Sequence, residues 1–520
     1  MLGFGHLDLK GTFNARLTLT VLLIAFSQFN FGFDNQGFAS TQAMDAFIKQ
    51  FGSYNEKTKK YYLDPVWVSF FNGFMYIGQA SGVIIGSYIS RRWGRRMCMF
   101  TMSIWAIIAA TIVITSKSSD QILAARVLNY IYIGMELSVV PVFQSEITPA
   151  QTRGFVVGTY QVALYVGGLI INCIARGTGS MPGREAYMIP YGLFYVVPTI
   201  VSACIWFVPE SPRWLVLKDR PEDGMKALRQ LRDGKFTDQE IEEEFAVIVA
   251  GIRQEVEQGS FQDIFKRDQF RRTMVVLGCN FLLQATGQIF TQMYGALFVK
   301  SLGTINPFTV TIILAVVNTL TAILAMVLTD KLGRRFQLLV GASIQAAAMM
   351  TMGGLGTASN ITGGMKIGIV SMMVVSSFGY SLGWAPTAHI LSAEIPSTRC
   401  RDMTYRTASV LNVATQFAVS FSLPYLLNAP YAALGSKVGF IFGSIAVLSI
   451  VFVYAFVPDV SGRSLEEVDR LFESSIPMRK FGKVKVDMTV ENTKGGDDTV
   501  FVHADITPKN QAVHTEDRRV

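Results

Sequence analysis

Long apolar tracts, each close to the length that a lipid bilayer requires, follow one another along the chain. The first six lie at about 17–33, 66–89, 98–115, 122–143, 155–175 and 188–208. The second six lie at about 273–299, 306–329, 337–355, 366–392, 407–427 and 438–457. The pattern predicts an all-α integral membrane protein with about twelve transmembrane helices in two six-helix bundles.

Polar stretches between these tracts divide the chain into five parts. They are a cytoplasmic N-terminus at 1–16, an N-terminal bundle at 17–208, a cytoplasmic linker at 209–272, a C-terminal bundle at 273–457 and a cytoplasmic tail at 458–520. The linker has apolar residues at helical spacing, which predicts short amphipathic helices. The segment from Gln36 to about Leu63 is expected to be the one long external loop. The tail is expected to be largely disordered, from roughly residue 480 onward.

Composition and charge narrow the class of protein. The 520 residues are 50% hydrophobic and 16% charged, whereas soluble proteins carry about 25% charged residues. Lysines and arginines collect in alternating short connections, which places both termini in the cytoplasm. The same distribution accounts for the net charge of +8, so a nucleic-acid partner is not indicated. No small-residue cleavage site follows the first tract, so we expect a retained helix. The cysteine spacing predicts neither a disulfide nor a metal site.

The two halves of the chain carry the same signals at a nearly constant offset. The repeated signals are Gly94-Arg95-Arg96 with Gly333-Arg334-Arg335, Glu146 and Arg153 with Glu394 and Arg401, and Pro209-Glu210 with Pro458-Asp459. Two similar bundles are the architecture in which one half rocks against the other around a site near the middle of the membrane. The repeat therefore predicts alternating access.

Four segments together resemble the signature set of one family. They are GSYISRRWGRR at Gly86–Arg96, PESPRWL at Pro209–Leu215, DKLGRR at Asp330–Arg335 and PDVSGRSLEEVD at Pro458–Asp469. This set is similar to that of the sugar porters of the major facilitator superfamily, and Ile395–Arg399 resembles fungal members. The resemblance implies a major-facilitator fold without enzymatic activity or cofactor. It also implies a secondary transporter in the plasma membrane, acting as a monomer on a small neutral polyhydroxylated solute.

Arginines and carboxylates at the predicted cytoplasmic helix ends form a candidate gate. A guanidinium there can bond both the free carbonyls of a helix end and a carboxylate. The candidates are Arg95, Arg96, Glu146, Arg153, Glu210, Arg213, Asp330, Arg334, Arg335, Glu394 and Arg401. The alternative is that the arginines only fix topology. Arg91 departs from the family, which usually has Asn or Asp at this position.

Three ionisable residues inside apolar tracts are candidates for proton coupling, since each is costly in a membrane. By resemblance to proton-coupled sugar porters, Asp34 and Arg126 form the coupling pair. The alternatives are a static ion pair or an aspartate near the external end of its helix. Glu136 is either a second proton site or the partner of a structural hydrogen bond.

A sugar site needs neutral amides for the hydroxyls and apolar surface for the ring. Matching the family's site gives Gln161, Gln284, Tyr294, Asn318, Trp384, Asn412 and Gln416. To these we add Phe31 as apolar wall, Gln288 as a compensating amide, and His389, which the family does not explain. Singly, such amides are often contacts between helices, and His389 has the alternative of a buried neutral histidine. Leu283, Ile289 and Gly168 replace polar residues usual in the family, which disfavours a pocket made for glucose.

The expected function is proton-coupled uptake of a hexose, a pentose or a small glycoside. The alternatives are transport or export of a polyol, a quinate-like compound or a specialised metabolite by the same fold, and a non-transporting sugar sensor. Asn360-Ile361-Thr362 is a glycosylation sequon on the predicted outer side.

Overall fold

A computed structural model describes most of the chain. The described residues are 13–56, 59–149, 152–254, 260–303, 305–397, 399–460, 465–474, 476–491 and 501–508. Within them, 11 helices are long and apolar enough to cross a membrane. The 26-residue helix Arg153–Thr178 lies where the fifth span is predicted. The two groups of six predicted from the apolar tracts are confirmed.

The N-terminal half contains nine helices and a small pair of strands within its described residues. They are α1 (Ala15–Thr41), α2 (Asp45–Phe51), β1 (Ser53–Asn55), β2 (Lys60–Tyr62), α3 (Pro65–Gly73), α4 (Met75–Trp93), α5 (Arg95–Thr115), α6 (Ser119–Ile147), α7 (Arg153–Thr178), α8 (Glu185–Gly192) and α9 (Val196–Cys204). Two spans are interrupted, the second between α3 and α4 and the sixth by a 3-10 turn between α8 and α9. Antiparallel pairing joins β1 to β2.

The linker and the C-terminal half follow. The linker has α10 (Pro212–Leu217), α11 (Pro221–Arg232) and α12 (Asp238–Gln254). The C-terminal half has α13 (Arg267–Ala285), a π-helix (Phe290–Tyr294), α14 (Gly295–Leu302), α15 (Pro307–Leu332), α16 (Arg334–Leu355), α17 (Gly363–Leu382), α18 (Trp384–Glu394), α19 (Arg401–Leu427) and α20 (Val438–Phe456). The tail contributes α21 (Leu465–Glu473), β3 (Val484–Glu491) and β4 (Phe501–Pro508).

We call the end of the bundle that carries α10–α12 the linker end, and the opposite end, which carries α2, β1 and β2, the loop end. The N-cap residue of α1, Asn14, donates to the carbonyl of Asp233 at 3.0 Å, so α1 begins at the linker end. The halves pack on each other along α7 with α15, and along α3 with α19. These two contacts join the fifth span to the eighth and the eleventh to the second, as expected of two similar halves.

Glycines let helices of the N-terminal half approach closely. A side chain built at Gly167 of α7 would place its Cβ 2.1 Å from the carbonyl oxygen of Phe29 on α1. A Cβ at Gly32 of α1 would lie 1.8 Å from the carbonyl oxygen of Leu164. Small residues at such crossings are the usual basis of helix packing in membranes. The result is that α1, which carries Asp34, lies against α7.

Two expectations differ from the structure. Helix α1 continues to Thr41, well beyond the tract at 17–33, because its last turns are buried and the polar residues there bond within the protein. The predicted external loop is correspondingly shorter and contains α2, β1 and β2. In the tail, β3 and β4 pair antiparallel where disorder was expected. The alternation of apolar and polar residues from Val484 to Glu491 is the sequence signal for that strand.

Candidate functional site

A cavity lies between the two halves. Its walls come from α1, α7, the π-helix, α15 and α17. The lining residues are Gln36, Leu164, Tyr165, Gly168, Asn172, Thr291, Gln292, Thr311, Leu314, Ala315, Asn318 and Ser377. None of them carries a charge, and most of the polar ones are amides or hydroxyls. Such a surface can bond the hydroxyl groups of a neutral solute.

Asn318 and Gln288 belong to one hydrogen-bond network on the C-terminal side of this cavity. The Asn318 Oδ1 accepts from the hydroxyls of Ser377 and Ser381, both at 2.9 Å. Gln288 Nε2 donates to Ser377 Oγ at 3.3 Å. The acceptor side of Asn318 is thus occupied by protein hydroxyls, while its Nδ2 donates to none of the described residues. That amide is available to a bound solute.

Gln284 and Asn412 form a second network, inside the C-terminal half. Gln284 Nε2 donates to Asn412 Oδ1 at 3.3 Å. Asn412 Nδ2 lies 3.4 Å from the Asn280 carbonyl oxygen, and Asn280 donates to Ser392 at 2.8 Å. Neither predicted residue is among those that line the central cavity. In this conformation the two side chains join α13 to α19. They therefore act as contacts between helices, the alternative to solute binding for such amides.

Tyr294 lies at the closure of the loop end. Its hydroxyl donates to the Ser420 carbonyl at 2.6 Å, and Ser420 Oγ donates across the halves to the Asn72 carbonyl at 2.8 Å. Lys300 adds a second connection, because its Nζ lies 2.6 Å from both Asp45 Oδ1 and the Ala43 carbonyl oxygen. Phe74 stacks on Phe417 and Phe421 of α19 in the same region. These contacts close the loop end.

The other residues predicted for the substrate site occupy varied surroundings. Trp384 is fully buried at the start of α18 and, among the described residues, its Nε1 has no hydrogen-bond partner. His389 is exposed on α18. Gln161 lies next to Tyr165 of the cavity wall. Phe31 and Gln416 are half-buried.

Asp34 and Arg126 come together inside the N-terminal half, both almost completely buried. Their closest charged atoms, Asp34 Oδ1 and Arg126 Nη1, are 4.0 Å apart, too far for a hydrogen bond. The second carboxylate oxygen, Oδ2, accepts from the hydroxyl of Tyr132 at 2.8 Å and from the amide of Asn129. Within the described structure, Oδ1 has no partner. The pair is adjacent but not locked together.

The guanidinium of Arg126 is held mainly by aromatic rings and sulfur. Its central carbon lies 3.8 Å from the ring centre of Phe38 and 4.7 Å from that of Tyr130. Its Nη2 donates to Met75 Sδ at 3.0 Å. Desolvated cation–π contacts of this kind contribute up to about 2 kcal/mol each. Arg126 is therefore stabilised independently of the carboxylate.

Glu136 lies on α6 seven residues after Asn129, about 10 Å nearer the linker end on the helical rise. Its side chain is completely buried, and Ser27 Oγ donates to its Oε1 at 3.4 Å. Among the described residues, its Oε2 accepts no hydrogen bond. The alternative role for Glu136 was a structural hydrogen bond. The contact with Ser27 is long and involves only one of the two carboxylate oxygens.

The gate residues form two similar sets, one in each half. Arg95 pairs with Glu146 through two hydrogen bonds of 2.8 Å, and Arg334 pairs with Glu394 at 3.0 Å. In each half, the next arginine along the chain donates to the backbone carbonyl of an aromatic residue and also lies over the ring of that residue. These contacts are Arg96 with Trp206, and Arg335 with Tyr454, at 2.8 Å in both halves. Each set joins helices within its own half.

Glu210 links the first set to the linker. Its carboxylate accepts from the backbone amides of Arg95 and Arg96, at 3.0 and 3.2 Å, and so caps the start of α5. Burial raises the pKa of this carboxyl group, against the opposing effect of the amide donors. Gly94 begins α5 with a φ of 103°, and a Cβ there would lie 2.3 Å from the Glu210 carboxylate. Glycine is therefore required in this motif.

The remaining predicted residues are placed as follows. Arg213 is half-buried on α10, and Arg401 is half-buried at the start of α19. The side chains of Arg153 and Asp330 lie outside the part of the chain that the structure describes. Asn360 is exposed between α16 and α17, at the loop end.

Several residues of the cavity wall were not predicted from the sequence. They are Gln36, Tyr165, Asn172, Thr291, Thr311 and Ser377. Gln36 fell in the expected external loop, and it lines the cavity because α1 continues past it. Asn172 Nδ2 lies 3.4 Å from the Thr311 carbonyl oxygen across the halves. The sequence signal available for this part of the wall was a polar residue in each of two apolar tracts, Asn172 in the fifth span and Thr311 in the eighth.

The fold and its paired halves define a transporter of the major facilitator type, not an enzyme. Residues 20–472 match the family described as Sugar (and other) transporter, and the chain belongs to that family. It is a multi-pass membrane protein.

Three relatives of similar sequence come from fungi. The chain is 28% identical over 472 residues to the high glucose sensor RGT2 of Saccharomyces cerevisiae, covering 89% of this chain and 61% of that one. It is 27% identical to the high-affinity glucose transporter ght2 of Schizosaccharomyces pombe, covering 90% of each. It is 29% identical to the major facilitator-type transporter ecdD of Aspergillus rugulosus, covering 86% of each.

Solved structures confirm the fold. An inward open conformation of the xylose transporter XylE from E. coli aligns with a TM-score of 0.72 at 19% identity, covering 88% of this chain and 99% of that one. The proton:xylose symporter XylE bound to 6-bromo-6-deoxy-D-glucose aligns with a TM-score of 0.70 at 20% identity, with the same coverage.

Proposed function

We propose that this protein carries a small neutral polyhydroxylated solute across a membrane together with a proton, by alternating access. The observation that supports this most directly is the uncharged, amide- and hydroxyl-lined cavity between the halves. Gln36 of its wall is two residues from Asp34 on the same helix. The two side chains point to different sides of α1, Gln36 to the cavity and Asp34 into the N-terminal half. A carboxyl group that exchanges a proton on the helix that lines the solute cavity can couple the two movements through its differential interaction in the two states.

The proposed orientation places the loop end outside and the linker end in the cytoplasm, with both termini cytoplasmic and the protein in the plasma membrane. Contacts across the halves, such as that of Lys300 with Asp45, then close the outer side. Transport opens the loop end and closes the linker end, with the arginine–carboxylate pairs keeping each half intact. One chain contains both halves, so we propose a functional monomer.

The proposed solute is a sugar or a related polyol. Leu283 and Ile289 are buried apolar residues where the family often has amides. Each missing amide would leave a buried hydroxyl of glucose unpaired, at about 1–3 kcal/mol. We therefore include pentoses, larger glycosides, polyols and quinate among the candidates.

The test is uptake by the purified full-length protein in liposomes with an imposed inward proton gradient. Labelled glucose and xylose serve as probes, and hexoses, pentoses, disaccharides, polyols and quinate serve as competitors. We expect gradient-driven accumulation of at least one neutral polyol. Accumulation that requires the opposite gradient would indicate export. Absence of any transport of neutral polyols would contradict the proposal and would favour a sensor.

Asn318→Ala is expected to raise KM for the transported solute. Its amide is the free donor on the cavity wall, and a hydrogen bond of about 0.5–1.5 kcal/mol corresponds to a roughly 2- to 12-fold change. Thr319→Val on the same helix is the matched control, because its hydroxyl donates to the Ala315 carbonyl at 2.7 Å and is not on the cavity wall. Equal KM values for both variants would remove Asn318 from the solute site.

A further inference from the structure

A second, smaller pocket lies inside the N-terminal half. It is enclosed by α1, α5, α6 and α9, and its lining residues include the polar side chains Ser27, Asn30 and Tyr132. None of its lining residues also lines the central cavity. The pocket has room for about one water molecule, and several polar partners can hold a water molecule at such a site.

The polar residues of this pocket connect Asp34 to Glu136. The hydroxyl of Tyr132 donates to Asp34 Oδ2 at 2.8 Å and accepts from Asn30 Nδ2 at 3.1 Å. One turn further toward the linker end, Ser27 donates to Glu136. Ser27 and Asn30 are three residues apart on α1, and Tyr132 and Glu136 are four apart on α6, so each pair shares one helix face.

We propose that Glu136 is a second proton-carrying group, and that the proton passes between Asp34 and Glu136 through Tyr132 and water in this pocket. This inference rests on the proposed proton-coupled transport. It assigns the proton a route through the N-terminal half, separate from the route of the solute between the halves.

The transfer is balanced as a relay of hydrogen bonds. Protonated Asp34 donates to the oxygen of Tyr132, whose own hydroxyl proton passes to water in the pocket. That water donates a proton to Ser27 Oγ, and the hydroxyl proton of Ser27 passes to Glu136 Oε1. The net change is one proton moved from one carboxyl group to the other. Asn30 donates to the Tyr132 oxygen before the transfer and can hold that oxygen in place throughout. No other bond is made or broken.

The surroundings of Glu136 favour binding and release of a proton over a fixed ion pair. The ionisable groups that interact with it are Asp34, Tyr132 on its own helix and Tyr160 on α7. On the pocket side, α5 and α9 present only Met102, Ser103, Ala106 and valine or proline residues. No described arginine or lysine forms an ion pair with Glu136. A buried carboxyl group without a counter-charge is costly in a membrane and marks a functional role.

The test compares variants of the full-length protein in liposomes that contain a pH-sensitive dye. Glu136→Gln can still bond Ser27 but cannot carry a proton, and Tyr132→Phe keeps the ring but lacks the relay hydroxyl. We expect both variants to lower solute-dependent proton entry at least tenfold, while exchange of labelled for unlabelled solute continues. Continued exchange also shows that each variant is folded.

Tyr195→Phe is the matched control, because the Tyr195 hydroxyl donates to Thr111 Oγ1 at 2.9 Å, away from both carboxyl groups and from Arg126. It is expected to keep the wild-type proton flux. Proton entry at the wild-type rate in Glu136→Gln, with Asp34→Asn inactive in the same assay, would overturn the relay and leave the proposed function intact. Wild-type proton entry in Asp34→Asn would instead overturn the coupling itself.

Discussion

Asp34→Asn is expected to abolish accumulation of solute against its gradient while exchange of solute across the membrane continues. The amide can still accept from Tyr132, so the local hydrogen bonding is largely kept. It cannot bind and release a proton, so the proton gradient no longer drives the cycle. The measurement is the ratio of internal to external labelled solute at steady state, which should fall to about one because transport by the variant is no longer coupled.

The control is Asp120→Asn, an exposed aspartate in the first turn of the helix that carries Arg126. It changes the same chemical group outside the buried site and should leave the accumulation ratio unchanged. An Asp34→Asn variant that accumulates solute like the wild type would remove this carboxyl group from coupling.

Gly167→Ala is expected to lower the stability of the protein markedly. The added methyl group would lie 2.1 Å from the Phe29 carbonyl oxygen, so α1 and α7 must separate by more than an ångström. Overpacking of this kind costs about 1–3 kcal/mol, and more where backbone has to move. The measurement is the melting temperature of the purified protein in detergent, together with the amount recovered from membranes.

Gly177→Ala, near the end of the same helix, is the matched control, since nothing lies within 4 Å of a Cβ built there. It removes a glycine from a helix and is expected to be neutral or to stabilise by up to about 1 kcal/mol. Similar melting temperatures for the two variants would show that α1 and α7 do not depend on this close approach. The result for Gly167 bears on function as well, because the neighbouring residue Gly168 lines the central cavity.

The spans and the two-half organisation could be predicted because both depend on features repeated along the sequence. Apolar length identifies a span, and the recurrence of Gly94-Arg95-Arg96 at residues 333–335 identifies the second half. The gate sets are similar in the structure for the same reason. A motif with a fixed local geometry retains its partners wherever the fold repeats.

The cavity wall could be predicted only in part, because an amide in a span contacts either a solute or another helix, and sequence does not decide between them. Asn318 lies on the wall, whereas Asn412 bonds Gln284 and Asn280 inside the C-terminal half. Tyr294 is the last residue of a π-helical turn, and its hydroxyl bonds Ser420 at the closed loop end. The rotation of a helix around such an interruption depends on tertiary packing.

The aromatic surroundings of Arg126 have an electrical consequence. Since Phe38, Tyr130 and Met75 stabilise the guanidinium without the carboxylate, Asp34 can be neutralised and leave a net positive charge at the site. In the proposed cycle, the proton-loaded carrier bears one more unit of charge than the empty one. A membrane potential that is negative on the linker side would drive the loaded form inward, by up to about 2.3 kcal/mol per 100 mV for complete movement of one charge. Voltage, and not only the pH difference, is then a source of energy for concentrating the solute.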